Sequence, residues 1–208
     1  RDYNLEGLKK GTILTLDKDV LESIFQHGEE FISIPIPVTD RTNIVLTLKR
    51  HEIFTPDFKV FTSSDPDYPL EYTPGIHYRG IVEGDPNSIV ALSVFKDQVM
   101  AMIATDEGNL VIGRIKGDKD HRHVFYNERD LKADFQFECG TEDNEIGYTK
   151  DQLEPQLQNR DANDCVRISV EINDDIVTAK GGAVPATDYI TAILNQCFVL
   201  YANDQISM

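Results

Sequence analysis

The sequence is poor in basic residues relative to acidic ones. It contains 20 Lys and Arg residues against 36 Asp and Glu residues, which gives a formal net charge of −16 over 208 residues. A chain of this charge repels a phosphate backbone, and no Lys/Arg cluster with interleaved aromatic residues occurs in it. Nucleic-acid binding is therefore excluded as a function class.

Long apolar runs are also missing. No stretch approaches the roughly 20 apolar residues that a membrane-spanning helix needs, and the first four residues, RDYN, do not begin a signal peptide. We therefore expect a soluble chain without a membrane span. The apolar content of 40% is ordinary for a globular protein, so a sizeable core can form.

Catalytic motifs are absent too. The sequence has no Gly-rich phosphate loop, no Gly-x-Ser-x-Gly elbow and no evident Ser-His-Asp set. A zinc peptidase carries His-Glu-x-x-His on a helix. His51 and Glu52 begin such a motif, but the second histidine is missing and Pro56 opposes a helix. We expect no catalytic residue in this chain, and we expect His51 to be a surface residue.

The clearest pattern is a set of three short runs rich in Val, Ile and Met, at residues 89–95, 98–105 and 109–115. Turn-forming residues separate the runs, so the pattern predicts a meander of antiparallel strands. Shorter alternating or extended stretches predict further strands around it, at residues 12–16, 31–37, 44–49, 59–62 and 124–126. A small helix or turn is predicted around residues 20–27. Together these elements predict a β-rich domain over residues 11–137.

The composition changes after this region. Residues 141–164 are strongly polar, which is typical of a linker that cannot form its own core. Residues 165–172 then predict a strand, and residues 185–203 show apolar side chains at helical spacing. We expect the stripe of this helix to pack on that strand, and on either the β-rich domain or a second copy of the chain. Its members are Tyr189, Ile193, Cys197 and Leu200.

Two stretches carry a resemblance to a known family. Residues 78–88, YRGIVEGDPNS, followed by VALS at residues 90–93, resemble the signature of reprolysin propeptides, the pro-segments of adamalysin (ADAM-like) zinc metalloproteases. Residues 46–60, with their Pro-Asp-Phe segment, resemble the other half of that signature. The tail resembles the opening strand and helix of the protease itself, with Asn195 and Leu200-Tyr201 in the helix pattern.

The resemblance implies a mainly β fold with three parts. Residues 1–140 would form an antiparallel β-rich propeptide domain, residues 141–164 a linker, and residues 165–208 a strand-helix fragment of an α/β metzincin catalytic domain. The implied function is the inhibitory and fold-assisting propeptide of a secreted or cell-surface zymogen, a zinc metalloendopeptidase. Zinc would belong to the parent enzyme, and the partner would be its own catalytic domain. The alternative is a non-catalytic β-rich binding or adhesion module.

Cys139 has a specific role under this resemblance. The Cys139-Gly140 pair, ahead of the protease-like tail, resembles the cysteine switch of metzincin propeptides, in which a thiolate occupies the water position on the catalytic zinc. The residues before Cys139 depart from the familiar forms of that motif. The alternative is a structural thiol or a disulfide partner.

The other two cysteines lie in the protease-like tail. A helix that returns along the strand would bring Cys197 near Cys165, so the two either form a disulfide or remain two buried thiols. Because three cysteines cannot all pair within one chain, one is left over. Cys139 is the one left over whether or not Cys165 and Cys197 form a disulfide. Arg160 is the basic residue in the later half of the linker, which makes it the candidate maturation site for a trypsin-like cut.

One histidine pair offers a different hypothesis. His121 and His123 are two residues apart and could bind a metal from one side of a strand, which would support an enzyme that works through them and nearby acids. Asp118, Lys119 and Asp120 precede them, a composition that favours a solvated loop. We expect the loop.

Overall fold

The computed structural model describes residues 5, 7–39, 41–132 and 167–203. Eight antiparallel strands form one sheet over the β-rich region, so the predicted mainly β fold is confirmed. The strands are β1 (Thr12–Leu14), β2 (Phe31–Thr39), β3 (Thr42–His51), β4 (Ile76–Val82), β5 (Asp85–Val94), β6 (Val99–Thr105), β7 (Gly108–Arg114) and β8 (His123–Asn127). The helices are α1 (Lys18–His27), α2 (Asp174–Lys180) and α3 (Ala183–Asn203), with a 3-10 turn at Glu128–Asp130.

The sheet curls into a nearly closed barrel. Its strand order is β1-β8-β7-β6-β5-β4-β3-β2, so the predicted meander occupies the centre and β2 ends the sheet. The two ends approach each other at a seam, where the Thr12 hydroxyl donates to the Val38 carbonyl oxygen at 2.8 Å. Pro35 and Pro37 lie in β2, and prolines suit an end strand because they cannot donate to a ladder. The expectation of an edge strand there is confirmed.

Alternation along the strands builds the core inside the barrel. Leu48, Tyr78, Val90 and Ile103 all point inward and are fully buried, while their neighbours along each strand point outward. Helix α1 adds Leu21 to this core. The inner space is therefore filled by side chains.

The motif that carries the family resemblance has a structural role at the β4–β5 hairpin. A Cβ at Gly80 would lie 2.0 Å from the Thr47 carbonyl oxygen, so only glycine allows β3 and β4 to approach this closely. Gly84 has φ +83°, as the turn requires. The Ser88 hydroxyl accepts from the Val82 amide at 2.8 Å and donates to the Asp85 carbonyl oxygen at 2.6 Å. These residues fix the hairpin.

Two predicted strands do not form. Residues 59–62 form no ladder. They make an isolated bridge between Thr62 and Asp65, and the Val60 carbonyl oxygen accepts from the Leu70 amide at 2.8 Å, while Pro66 and Pro69 have no backbone donor to add. The described part of the predicted strand at residues 165–172 has no ladder partner. There Ile168 and Val170 are 47% and 48% exposed. A strand without a neighbour has no backbone hydrogen bonds to hold it.

Both predicted helices are confirmed, as α1 and α3. Helix α1 begins at an Asp17 cap, whose carboxylate accepts from the Asp19 and Val20 amides at 3.0 and 3.2 Å. In the described part of the chain, no helix has the length and apolar character needed to cross a bilayer.

Candidate functional site: the docking surface beneath α3

Helix α3 lies on the outer face of β4, β5 and β6. The side chains that it buries there are polar or small for the most part: Ala186, Thr187, Thr191, Ala192, Asn195, Phe198 and Val199. The predicted apolar stripe faces elsewhere. Tyr189, Ile193 and Cys197 are half-buried and Leu200 is 44% exposed. The prediction was therefore right that the helix packs on the β-rich domain and wrong about which face it uses.

Asn195 is the centre of the contact. Its side chain is fully buried, and its amide nitrogen lies 3.3 Å from the Tyr78 carbonyl oxygen and 3.2 Å from that of Leu92. The same nitrogen is 3.4 Å from the Ser93 hydroxyl. A buried amide is tolerated only where it finds such partners. Asn195 thus joins α3 to the backbones of two neighbouring strands.

Arg79 completes this contact from the sheet. Its Nε donates to the Asn195 side-chain oxygen at 3.1 Å, and its guanidinium carbon lies 5.8 Å from the centre of the Phe198 ring. Burial lowers the pKa of Arg79 from its ordinary value. Both polar ends of the Asn195 amide are therefore satisfied by the barrel, which fixes the rotation of the helix about its axis.

His77 and Ser93 form the floor under Asn195. They are register partners on β4 and β5, and His77 Nδ1 is 2.9 Å from the Ser93 hydroxyl. In the described residues, His77 Nε2 has no hydrogen-bond partner. The rings of Phe54 and Phe95 lie around it, with centroids 5.4 and 6.1 Å from that of His77. Burial, and then the charge of Arg79, lowers the pKa of His77 to about 3, so the ring is neutral at physiological pH.

The Ser93-His77 contact resembles a nucleophile and its base, but it is closed to substrate. The two residues are 1% and 2% exposed. A nucleophile needs a position beside it that a reacting atom can occupy, and here α3 and the aromatic rings fill that space. We hereafter call His77, Arg79 and Ser93 the docking surface, since their role is to hold α3.

A second polar contact holds the first part of α3. The Tyr72 hydroxyl donates to an Asp188 carboxylate oxygen at 2.9 Å. Burial, and then the charge of Asp188, raises the pKa of Tyr72, while burial is the main cause that raises the pKa of Asp188. This hydrogen bond connects α3 to the extended segment that precedes β4. The helix is therefore held by polar contacts at both Asp188 and Asn195.

An open groove of about 470 Å³ lies between the end of α1, the residues around the end of β3 and the residues at the start of β4. The rings of Phe25, Phe54 and Phe58 line it, together with Arg50, whose Nη1 donates to the Gly28 carbonyl oxygen at 3.0 Å. Polar and charged side chains, among them Glu52, share the lining with the rings. The groove is therefore a mixed surface of aromatic and polar groups.

The predicted site residues fall mainly outside the described part of the chain. Cys139, Arg160 and Cys165 lie there, so the cysteine switch, the maturation site and the pairing of Cys165 stay predictions. Cys197 is half-buried in α3 and forms no disulfide with another described residue. His51 is exposed, as expected.

The prediction for the histidine pair is half wrong. His121 is exposed and has a left-handed φ of 56°, whereas His123 is fully buried at the start of β8. The His123 Nε2 accepts from the Val99 amide at 3.2 Å, which the loop expectation missed. Burial is the main cause that lowers the pKa of His123, to about 4. Within the described ranges, no three His, Cys, Asp or Glu side chains come together as metal ligands.

The comparison with known proteins adds no relative. No protein-family model and no curated protein matches this chain. The likeness to reprolysin propeptides accordingly stands on the quoted motifs alone.

Proposed function

We propose that this chain is the inhibitory and fold-assisting propeptide region of a secreted, reprolysin-like zinc metalloendopeptidase. In this proposal residues 1–140 are the propeptide, residues 141–164 the linker, and residues 165–208 the start of the catalytic domain. We place the catalytic zinc in the parent enzyme. The partner of the barrel is the catalytic domain of the same parent.

One observation carries the proposal. The helix that resembles the opening helix of the protease is held on the outer face of the barrel by the buried Asn195, which contacts Tyr78 and Leu92. A propeptide has to hold the enzyme that it keeps latent, and a buried polar contact of this kind holds one orientation of the helix. The contact supports an assisting role as well, since the barrel offers the helix a surface while the rest of the protease folds.

The first test concerns the gene. The sequence that follows residue 208 should encode His-Glu-x-x-His-x-x-Gly-x-x-His, the three-histidine zinc motif of this class. A downstream sequence without that motif would refute the proposal at once.

The second test concerns latency. The 208-residue chain, added to the mature parent enzyme, should inhibit it, and Cys139→Ser should weaken the inhibition strongly because a neutral hydroxyl is a far poorer zinc ligand than a thiolate. Cys197→Ser is the matched control and should inhibit like the unmodified chain. Equal inhibition by all three proteins would remove the switch and leave steric blockage of the cleft as the mechanism. The chain alone should show no zinc-dependent peptidase activity.

A second candidate function is a non-catalytic β-rich binding or adhesion module. The open groove beside Arg50 favours it, because a groove that combines aromatic rings with polar groups suits a partner's side chain. This candidate predicts that the groove variant Phe58→Ala folds but loses partner binding. It also predicts that the unmodified chain inhibits no metalloprotease.

A further inference from the structure

Residues 167–172 carry a strand pattern that pairs with nothing in the described chain. Their sequence, RISVEI, alternates polar and apolar side chains, as the two faces of a strand require. Their backbone makes no hydrogen bond to another described residue, and the side chains of Ile168 and Val170 are about half exposed. Unpaired backbone groups beside exposed apolar side chains form a template on which another strand can pair.

The neighbouring contacts leave this segment uncovered. Arg167 Nη1 lies 3.6 Å from Asp57 Oδ2, and both side chains are 71% exposed, so this ion pair contributes little. After residue 173 the chain enters α2, which buries none of its own residues. Neither contact removes the apolar side chains of the segment from water.

The segment is complementary to itself when two copies run antiparallel about Ser169. This pairing places Arg167 of each copy opposite Glu171 of the other, and Ile168 opposite Val170. Opposite charges and apolar side chains that face each other in this way stabilise antiparallel strands. A register shift of two residues in either direction removes both ion pairs, and a shift of four places like charges opposite each other. The sequence therefore favours one register.

We propose that residues 167–171 bind the same residues of a second copy of this chain, as an antiparallel strand pair with its two-fold axis at Ser169. The contact is the same patch on both copies, as two-fold symmetry requires. It is small, so the dimer is weak and forms only at high concentration. The net charge of −16 on each copy opposes association, but salt screens exposed charges beyond about 8 Å at physiological ionic strength. The inference is independent of the proposed protease role.

The experiment is sedimentation velocity on the 208-residue chain, from micromolar to millimolar concentration at physiological ionic strength. The unmodified chain should change from monomer to dimer across this range. Arg167→Glu and Glu171→Arg each place like charges opposite each other in both pairs, so each should weaken dimerisation roughly tenfold or more. Arg41→Glu, at an exposed position in the β2–β3 turn, changes the net charge as Arg167→Glu does and should dimerise like the unmodified chain.

Two further samples test the register directly. The double variant Arg167→Glu/Glu171→Arg restores both ion pairs and should dimerise again. An equal mixture of the two single variants should form a heterodimer, because one copy then carries two acidic and the other two basic residues at the paired positions. Thermal melting checks the fold, and all variants should melt like the unmodified chain since the segment is exposed. A monomeric unmodified chain at millimolar concentration, no recovery in the double variant or the mixture, or equal weakening by Arg41→Glu would refute the proposal.

Discussion

The two faces of the same strands differ in how they hold the protein together. The inner face buries large apolar side chains such as Leu48, Val90 and Ile103, whereas the outer face beneath α3 buries His77, Ser93 and the Asn195 of the helix. The side chains named on the two faces are all shielded from water. The inner contacts are non-directional, and the outer contacts are hydrogen bonds with defined partners.

The difference separates stability from specificity. Apolar burial stabilises any arrangement that removes the same area from water. A buried amide stabilises only the arrangement in which its partners are present, because an unpaired one is penalised. The barrel interior therefore makes the fold stable, and the docking surface determines where the helix lies on it.

The substitution with the largest expected effect on stability lies on the inner face of the barrel. Ile103→Ala should lower the free energy of unfolding by about 2–5 kcal/mol, since it removes fully buried methyl groups and leaves a cavity. Urea unfolding measures the change. Ile81→Ala, at a position exposed on the outer face, is the matched control and should have a much smaller effect. Similar losses in both variants would contradict the assignment of the core.

The next largest loss of stability is expected for a substitution at the contact between α3 and the docking surface. Asn195→Ala should cost about 1–3 kcal/mol, because the Arg79 Nε loses its acceptor and two backbone carbonyls lose a donor. Hydrogen exchange should show the loss mainly in α3, with the β5 and β6 amides still protected. Gln196→Ala, on the neighbouring half-buried position, is the control. Uniform loss of protection across the barrel would show that helix and barrel are one cooperative unit.

A pH titration examines the same surface without mutation. The folded-state pKa of His77 is lowered from 6.5 to about 3, so the unfolded chain binds more protons and stability decreases as the pH falls below 6.5. The loss continues until the pH approaches 3, at about 1.4 kcal/mol per pH unit for this group. His77→Gln should remove that contribution to the slope. An unchanged or steeper slope in His77→Gln would contradict the linkage.

The smallest effect concerns the floor of the docking surface. Ser93→Ala removes the hydroxyl that lies between His77 and Asn195, and it should cost about 1 kcal/mol. It should also change the His77 imidazole signals in NMR spectra, which a purely apolar packing role would not require. Ser64→Ala, an exposed position in the 54–75 connection, should change neither quantity.

Much of the barrel could be predicted from the sequence, because alternation and turn residues are local signals. The meander, the end strand β2 and both helices follow from them. The predicted strand at residues 165–172 is wrong over its described part, residues 167–172, since its pattern is suitable but no described strand pairs with it. A local pattern indicates which face would be buried and does not show whether a partner strand exists.

The docking surface escaped prediction for a related reason. Apolar periodicity selects Tyr189 and Ile193, while Thr191 and Asn195 lie two residues further on, which is about 200° around a helix. The hydrogen bonds that make the polar face the buried one come from β4 and β5, more than 100 residues away. The available signal was the row of polar residues Thr187, Thr191 and Asn195, which recur every four residues along the helix.

The strand order also sets the sequence of events during folding. Every neighbour from β2 to β8 is the next strand along the chain, so this part can form one strand pair at a time, and its longest connection is the 24 residues between β3 and β4. The pairing of Leu14 with His123 is different, because more than 100 residues separate the two strands. We expect β1 to join last, and a chain emerging amino-terminus first would have to hold this strand unpaired until β8 has arrived.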